Sequence, residues 1–321
     1  MRDFHSFLAP HMESFVMFQT VAGRWNITYD AYLSYFDKYC CQVFPDESVL
    51  REEMTDGWCA LRDTESNNTR RIRIYAIANF VKYMRARGMT SIPVPAIPKQ
   101  KRSAYIPHAF TDAELGAFFH ACDNLPMSKP KALSVRIRRF VVPVFFRLLY
   151  STGIRTYEAR MLEIGDVDLE EGILCIRTAK GGNQYYVAMH STMAELMRTF
   201  DRAIRTICPK RRFFFQSARG SFFSKEWVVQ TFRSIWKKAN ESNATAYELR
   251  HNYAVTNING WICDGFDFFD KMVYLSKSMG HLSLESTKRY YHLAPAMSED
   301  ILRLTGVGFD EIVPEVPHEE S

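Results

Sequence analysis

A proline-rich segment is the feature that most limits how this sequence can fold. Residues 91–109 contain Pro93, Pro95, Pro98 and Pro107. A proline inside a helix removes a backbone hydrogen bond and clashes with the turn before it, so helical structure is expected to stop here. The chain has 321 residues, which is long enough for two domains of about 150 residues each. We therefore predict a domain over residues 1–90, a semi-rigid linker over 91–109, a second domain over 110–297 and a tail over 298–321.

The sequence before this linker has the hydrophobic periodicity of helices. The clearest pattern runs over residues 68–87, where apolar side chains recur on one face and basic side chains occupy another. Gly88 follows at the position where helices commonly end. Shorter patterns cover residues 4–20, 28–41 and 48–62, so the first domain is predicted to be an all-α module of four helices.

Residues 110–297 are predicted to be mostly helical, with one small antiparallel sheet. Thr111 and Glu114 have the spacing of a helix-capping box. Two short β-like runs, residues 173–177 and 184–189, flank a turn rich in glycine, and this pattern predicts a hairpin. Apolar periodicity predicts longer helices over residues 133–151, from residue 191 and over residues 224–239.

Three short motifs in this second domain combine arginine, histidine and tyrosine. They are the segments 152–158, 247–251 and 280–292. A tyrosine hydroxyl has a pKa near ~10, and it becomes a useful nucleophile only where positive charge stabilises its anion. Arg155 and Arg250 supply such charge, and Lys180 adds more from the predicted hairpin turn. A Thr-x-x-Glu box ending at Glu248 places Arg250 early in a helix, where the helix dipole favours a phosphate.

The motifs resemble those of the phage integrase, or tyrosine recombinase, family. The family's first box, Thr-Gly-x-Arg-x-x-Glu, is matched at residues 152–158. Its second box, His-x-Leu-Arg-His, is matched at residues 249–251 but departs at the first position, which is Tyr247. Its third box is matched at Gly280, His281, Tyr290 and His292. The likeness covers roughly residues 108–300 and extends more weakly to the N-terminus.

The resemblance implies a DNA cleavage reaction that needs neither a metal nor a cofactor. Tyr290 is the implied nucleophile, which forms a link to the 3′ phosphate and leaves a free 5′ hydroxyl. Arg155 and Arg250 are implied to bind the non-bridging oxygens and to stabilise the pentacoordinate state. Lys180 is implied as the general acid, and His281 as a hydrogen-bond partner of the phosphate. Glu158 is a candidate for orienting an arginine, whereas the roles of Tyr247, His251 and His292 stay open.

Each of these residues also has an ordinary structural interpretation. Arg155 and Arg250 can be ion-pair partners, and Tyr290 can be a packing residue at the edge of a core. Tyr291 is a rival nucleophile, but it breaks the spacing expected from the Gly-His pair. Tyr247 is a poor base near neutral pH, whereas the family usually has His or Lys at that position. The catalytic interpretation therefore rests on the joint occurrence of the motifs in the family's order.

Basic residues are distributed unevenly along the chain. Lys and Arg number 41 against 36 Asp and Glu, which gives a formal net charge of only +5. Residues 66–87, however, hold six basic side chains and no acidic one. Such runs are usually solvated helix faces, but beside a phosphate-chemistry motif they favour a DNA-binding surface. The predicted DNA contacts are Arg70, Arg71, Lys82, Arg85, Lys101 and Arg102.

The resemblance also implies partners. They are double-stranded DNA, gripped in part by an N-terminal core-binding domain, and further copies of the chain, which form a tetramer on paired sites. The apolar residues between Ile301 and Phe309 favour a recombinase, because the resemblance implies a C-terminal segment that passes to a neighbouring subunit. The resemblance thus implies a site-specific recombinase that cleaves and rejoins DNA. Two other interpretations stay open: an enzyme like a type IB topoisomerase, and a DNA-binding relative whose catalysis has decayed. The motifs do not distinguish integration from excision, inversion or dimer resolution.

The seven cysteines do not have the spacing of a metal site or a disulfide framework. Their number is odd and no Cys-x-x-Cys pair occurs, so a reduced, cytoplasmic setting is expected. No apolar run approaches the roughly 18 residues needed to cross a bilayer. We therefore expect no association with a membrane.

Overall fold

The chain divides into two compact units, residues 1–105 and 106–321. A computed structural model describes residues 3–25, 27–101, 107–126, 132–177, 182–260 and 268–291. The division falls within the proline-rich segment, whose described residues 91–101 and 107–109 form neither helix nor strand. The boundaries of the linker and of the tail stay predictions.

The N-terminal unit is built around its fourth helix. Its helices are α1 (Ala9–Val21), α2 (Ile27–Val43), α3 (Glu52–Cys59) and α4 (Asn67–Arg85), and α4 packs against each of the other three. Ser66 caps α4, since its side chain accepts a hydrogen bond from the backbone N–H of Thr69 at 3.1 Å. Aromatic and aliphatic side chains fill the centre of this unit, among them Phe15, Phe36, Trp58, Phe80 and Val81.

Two helices of this unit are shorter than the periodicity predicts. The helix α1 begins at Ala9 instead of Phe4, because the backbone N–H groups of His5 and Ser6 donate to the buried carboxylate of Asp37, each at 2.9 Å. The helix α3 covers Glu52–Cys59 instead of residues 48–62, because the backbone is extended at Ala60 (φ −53°, ψ 150°). An α4 arginine satisfies the carbonyl left at its end. Arg70 donates to the carbonyl oxygen of Cys59 at 3.1 and 3.3 Å.

The second unit is mainly helical, as its sequence predicts. Its helices are α5 (Asp112–Asp123), α6 (Leu133–Thr152), α7 (Thr156–Met161), α8 (Ser191–Arg205), α9 (Lys225–Ala239), α10 (Glu248–Gly260), α11 (Phe268–Ser278) and α12 (Glu285–Tyr291). The predicted capping box at Thr111 and Glu114 is present in both directions. Side chains from α5, α6, α8, α9 and the sheet form one large core, which also includes Leu249 at the start of α10. We call this set the large core.

One small antiparallel sheet lies within this unit, again as predicted. Its strands are β1 (Val167–Asp168), β2 (Ile173–Ile176) and β3 (Tyr185–Ala188), in the order β1-β2-β3. The register pairs Ile173 with Ala188 and Ile176 with Tyr185. Leu174, Ile176 and Val187 point into the large core, so the sheet is anchored on one face. The residues between β2 and β3 carry Lys180, which lies outside the described residues.

A second, smaller apolar cluster is formed mainly by side chains of α10, α11 and α12. It consists of Ala254, Ile258, Met272, Leu275, Met279 and Tyr290, and we call it the tyrosine cluster. The helix α10 contacts both clusters, because Leu249 in its first turn belongs to the large core and Ala254 and Ile258 belong to the tyrosine cluster. The described helices include none that is both long and apolar enough to cross a bilayer.

Candidate active site

A left-handed glycine ends α6 and sets the position of the first arginine. Gly153 has φ of +64° and its N–H donates to the carbonyl of Leu149 at 3.0 Å. A Cβ atom at this position would stand 2.3 Å from Cδ1 of Tyr253, so both the backbone angle and the packing require glycine. Arg155 follows at the N-cap position of α7. Within the motif Thr-Gly-x-Arg, α6 therefore ends at Thr152, the chain turns at Gly153, and α7 begins after Arg155.

Glu158 and a carbonyl from a distant motif hold Arg155 in place. One carboxylate oxygen of Glu158 accepts from Nη1 of Arg155 at 2.7 Å, and the other accepts from its backbone N–H at 2.7 Å. Nη2 of Arg155 donates to the carbonyl oxygen of Gly280 at 3.2 Å. Glu158 is buried. Burial works to lower the pKa of the Arg155 guanidinium, but the hydrogen bond and charge of Glu158 outweigh it and raise the pKa.

Arg250 is buried at the N-terminal end of α10, where it joins the first motif to the third. Nη1 donates to the carbonyl of Gly153 at 2.6 Å, and Nη2 donates to the carbonyl of Met279 at 2.8 Å. The side chain is only 2% exposed. Its Nε atom is also buried and, among the described residues, has no hydrogen-bond partner. A buried donor without an acceptor is unfavourable unless a ligand supplies one.

We define the arginine cradle as Arg155 and Arg250 together with the carbonyls of Gly153, Met279 and Gly280. Gly280 has φ of +61° and a Cβ there would approach Cε1 of Tyr185 to 2.4 Å, so it too is restricted to glycine. The three carbonyls hold both guanidiniums through backbone atoms. Two fixed cations beside a helix N-terminus form a site suited to an anion such as phosphate.

His281 lies between Arg250 and a buried threonine. Its Nε2 is 2.9 Å from Nη2 of Arg250, and its Nδ1 is 2.7 Å from the hydroxyl of Thr287. A guanidinium only donates hydrogen bonds, so Nε2 is the acceptor in this contact. A neutral imidazole therefore carries its proton on Nδ1 and donates it to Thr287, which is fully buried.

Tyr290 lies in the tyrosine cluster and next to two histidine rings. Its side chain is 3% exposed. The ring centroid is 6.1 Å from that of His281 with nearly parallel planes, and 5.3 Å from that of His251. The structure thus brings Arg155, Arg250, His281 and Tyr290 together, from motifs that are far apart in the sequence. The roles predicted for them are taken up below.

Tyr247, at the position where the sequence departs from the family pattern, lies at the edge of this site. It is 47% exposed, and its ring meets that of His251 edge to face with centroids 5.0 Å apart. It is also near enough to act electrostatically on Arg155. Lys180 and His292 lie outside the described residues, as does the side chain of Tyr291.

Two side chains that the sequence analysis did not single out complete the contacts around the cradle. Thr287 accepts from His281, and Tyr185 donates to Glu158 at 2.8 Å. Thr287 lies within the third segment but not at a matched position, and Tyr185 lies outside all three segments. For Tyr185 the only available signal is its place at the end of the predicted hairpin, next to a glycine-rich turn.

The basic residues predicted to contact DNA fall into two groups. Lys82 and Arg85 are exposed on α4, and Lys101 is exposed beyond it. Arg70 and Arg71 are half-buried. Arg70 donates its side-chain hydrogen bonds to the carbonyl of Cys59, so it also has a structural role. Arg102 lies outside the described residues. In the part of the chain that the structure describes, no three His, Cys, Asp or Glu side chains cluster as a metal site would require.

Comparison with known proteins places the chain among DNA recombinases. A protein of Sinorhizobium fredii named as an integrase/recombinase is 24% identical over 272 residues, which cover 80% of this chain and 84% of that protein. Tyrosine recombinase XerC of Lactobacillus delbrueckii subsp. bulgaricus is 24% identical over 254 residues, covering 77% of this chain and 80% of that protein.

Two solved structures have the same fold. One is the site-specific recombinase XerH bound to palindromic difH substrate in a post-cleavage complex, with a TM-score of 0.60, 20% identity and coverage of 85% of this chain and 78% of that one. The other is a lambda integrase tetramer bound to a Holliday junction, with a TM-score of 0.59, 16% identity and coverage of 88% and 76%. These likenesses confirm the mainly helical fold that the sequence predicts.

The family assignment rests on a match longer than the motifs alone. The sequence model described as "Phage integrase family" matches residues 109–297, which is more than half of the 321 residues. The match and the relatives' names confirm the family and the enzyme class expected from the sequence, and they favour a tyrosine-type site-specific recombinase over a topoisomerase-like enzyme or a decayed relative. The chain belongs to the phage integrase family of tyrosine recombinases.

Proposed function

We propose that this protein cleaves and rejoins double-stranded DNA through a transient link between Tyr290 and a 3′ phosphate. The observation that carries the proposal is the arginine cradle. Two guanidiniums from separate motifs are fixed by backbone carbonyls beside His281 and Tyr290. A scissile phosphate bound there would meet positive charge and a tyrosine hydroxyl in the same site.

The proposed reaction exchanges one phosphoester bond for another. The Tyr290 oxygen attacks phosphorus and loses its proton, the bond from phosphorus to the 5′ oxygen breaks, and that oxygen takes up a proton. Lys180 is the proposed donor of this second proton. Because a phosphoester bond is kept throughout, attack by a 5′ hydroxyl on the phosphotyrosine reverses the step and seals a strand.

Arg155 and Arg250 are proposed to neutralise the charge that grows on the non-bridging oxygens. Donors fixed in advance are effective because they need not reorganise when the charge develops. The buried Nε of Arg250, which has no partner among the described residues, supports a ligand at this point. Glu158 is proposed to orient Arg155.

His281 is proposed to hydrogen-bond the phosphate, but its present contacts require a change first. Its Nε2 accepts from Arg250, so this atom can donate to a phosphate oxygen only after it gains a proton. A bound phosphate that draws Arg250 toward itself would free Nε2 for that purpose. Tyr247 is proposed to hydrogen-bond the phosphate rather than to act as a base, while His251 and His292 are assigned no step.

The proposed partners are double-stranded DNA and further copies of the chain. The lambda integrase of similar fold is a tetramer bound to a Holliday junction, and we propose a tetramer on paired sites here. Residues 1–90 are proposed as a core-binding domain with Lys82 and Arg85 toward the DNA backbone, and Lys101 of the linker is proposed as a further contact. Residues 298–321 are proposed to join neighbouring subunits. The expected cytoplasmic location goes with this proposal, since the DNA substrate lies there.

The test is covalent trapping on a nicked suicide duplex. The duplex carries the DNA sequence that flanks the genetic element in which the gene for this protein lies. The wild-type protein should give a protein–DNA band on a denaturing gel. Tyr290→Phe should lose that band and keep its affinity for the duplex, whereas Tyr291→Phe should retain both. A band that persists in Tyr290→Phe would refute the proposed nucleophile.

A further inference from the structure

Tyr185 contacts the arginine cradle through its hydroxyl group. The residue begins β3 and is half-buried. Its hydroxyl donates to Oε2 of Glu158 at 2.8 Å, and Oε1 of the same carboxylate accepts from Nη1 of Arg155 at 2.7 Å. The three side chains therefore form one hydrogen-bonded series that ends on a cradle guanidinium.

The same tyrosine contacts the cradle a second time through its ring. The ring packs against Gly280 so closely that a Cβ atom there would lie 2.4 Å from Cε1 and 2.5 Å from Cζ. The carbonyl of Gly280 is the second acceptor of Arg155, at 3.2 Å from Nη2. Thus Tyr185 contacts both residues that hold the Arg155 guanidinium, Glu158 through its hydroxyl and Gly280 through its ring.

The hydroxyl of Tyr185 is a fixed donor. Burial, followed by the charge of Glu158, raises the pKa of Tyr185. The phenol therefore keeps its proton throughout the pH range in which DNA enzymes work, and Glu158 keeps an acceptor role. Oε2 of Glu158 accepts from both the Tyr185 hydroxyl and the backbone N–H of Arg155, while Oε1 accepts from Nη1 of Arg155. These three hydrogen bonds together fix the orientation of the carboxylate.

We propose that Tyr185 is a positioning residue for the DNA cleavage step, which fixes Arg155 through Glu158 and through Gly280. The proposal rests on the proposed function, because it assigns Arg155 to the scissile phosphate. Tyr185 has no contact role in the proposed chemistry. Its effect is on the geometry of a residue that does, and a misplacement of about 1 Å caused away from the chemistry can lower a rate by about 100-fold.

The next residue in the strand supplies a matched control. Tyr186 is 72% exposed and alternates to the opposite face of β3. Tyr185→Phe and Tyr186→Phe each remove one oxygen from the same strand and keep a ring. A loss that comes merely from altering the strand should affect both variants alike, whereas a positioning effect should appear only in Tyr185→Phe.

The first experiment measures single-turnover cleavage of the suicide duplex with the full-length protein in excess, alongside duplex affinity and thermal midpoint. We expect Tyr185→Phe to lower the cleavage rate about 10-fold and to keep the duplex affinity. Its thermal midpoint should fall by no more than a few degrees, since Glu158 loses one hydrogen bond but keeps those from Arg155. Tyr186→Phe should change none of the three quantities. In a Glu158→Gln background, Tyr185→Phe should add little, because both act on one series. Equal rates for Tyr185→Phe and wild type would overturn the proposal, as would losses that multiply fully in the double variant.

A second measurement does not depend on cleavage. In protein labelled with ¹⁵N at arginine, the side-chain signal of Arg155, assigned by its loss in Arg155→Lys, should shift in Tyr185→Phe and stay in place in Tyr186→Phe. An unshifted signal would refute the positioning role even if the wild-type protein cleaves DNA. Conversely, a shifted signal in a protein that fails to cleave would overturn the proposed function and leave the contact geometry supported.

Discussion

The arginine cradle and the tyrosine cluster are held together by different kinds of contact. Arg155 and Arg250 donate to three backbone carbonyls, and these carbonyls belong to turns built around glycines with positive φ. Tyr290 is held in a six-residue apolar cluster and against the rings of His251 and His281. The cradle is therefore fixed by directional bonds next to the large core, whereas the contacts described above for the tyrosine are packing contacts.

This difference indicates which half of the site is already formed before DNA binds. Hydrogen bonds to a fixed backbone define the direction of a guanidinium, while a small apolar cluster can open at a low free-energy cost. In the proposed reaction Tyr290 must first become accessible, since its side chain is 3% exposed. We expect the cradle to keep its geometry while the short helix α12 moves.

Loss of Arg250 should have the largest effect on the cradle. Arg250→Ala removes a proposed phosphate donor and leaves the buried carbonyls of Gly153 and Met279 without their partner. We expect single-turnover cleavage to fall by about 100-fold or more and the free energy of unfolding to fall by about 1–3 kcal/mol. Duplex cleavage and urea unfolding measure the two effects.

Arg250→Lys is the control for charge. A lysine keeps the positive charge but cannot donate to both carbonyls in the planar geometry of a guanidinium. We expect it to lose most of the cleavage rate as well. Cleavage near the wild-type rate in Arg250→Lys would contradict the view that directional anchoring matters more than charge.

Matched leucine truncations in the two clusters should separate their contributions. Leu149 in the large core and Leu275 in the tyrosine cluster are both almost fully buried. Leu149→Ala should lower the free energy of unfolding by about 3–5 kcal/mol, and Leu275→Ala by about 2–3 kcal/mol, since a small cluster collapses more easily around a cavity. Urea unfolding measures both values.

Hydrogen exchange adds a local readout to the same pair. Leu275→Ala should speed amide exchange in α12 and leave α6 protected, because only the tyrosine cluster loses packing. If amide exchange in α12 became faster by the same factor in Leu149→Ala and Leu275→Ala, the two clusters would open as one unit. That result would contradict the difference between them described above.

The glycine turns of the cradle should be sensitive to a single methyl group. Gly153→Ala meets both a positive φ and the ring of Tyr253, whereas Gly220→Ala meets a positive φ of +79° in open space. The backbone cost of roughly 1–2 kcal/mol is common to both. We expect Gly153→Ala to lose about 1–3 kcal/mol more, from overpacking. Equal shifts of the urea midpoint would mean that the ring moves away at no cost.

The smallest effect should come from a carboxylate remote from the cradle. Burial disfavours the charged form of Glu114, but hydrogen bonds from Ser242, the Thr111 backbone and His108 outweigh it and lower its pKa to about 2. Its stabilising contribution is therefore present above the unfolded pKa and is lost as the pH falls toward 2. Glu114→Gln should cost on the order of 1 kcal/mol at neutral pH, and the difference from wild type should shrink between pH ~4.5 and ~2.

Cleavage by Glu114→Gln at neutral pH should match that of the wild type, because Glu114 has no contact with the cradle among the described residues. Urea unfolding of both proteins at several pH values measures the expected trend. If the stability difference between the wild type and Glu114→Gln grew as the pH fell, the pKa of Glu114 would be raised in the folded protein instead of lowered.

Local signals predicted much of this fold. The capping box at Thr111 and Glu114, the β2–β3 hairpin and the N-terminal start of α10 are set by residues within a few positions of each other. The convergence of the motifs was expected only through the family resemblance. Their joint occurrence in one order carried information that no single motif held.

Contacts between distant residues could not be predicted in this way. Asp37 shortens α1 through the backbone of His5 and Ser6, which are about 30 residues away. Tyr185 reaches Glu158 and Gly280 from a strand whose pattern indicates only pairing and burial. The polar partner of a buried side chain depends on the tertiary fold, and a single sequence records no distance between such partners.

The central claim is that Tyr290 forms a transient link to a 3′ phosphate of DNA. Mapping the residue that becomes linked to DNA tests this claim most directly. The covalent complex formed by the wild-type protein on the suicide duplex is digested with protease and nuclease, and mass spectrometry locates the nucleotide remnant. The account predicts a remnant joined to Tyr290 through a 3′ phosphate. A remnant on Tyr291 or on any other side chain, or a link through a 5′ phosphate, would contradict it.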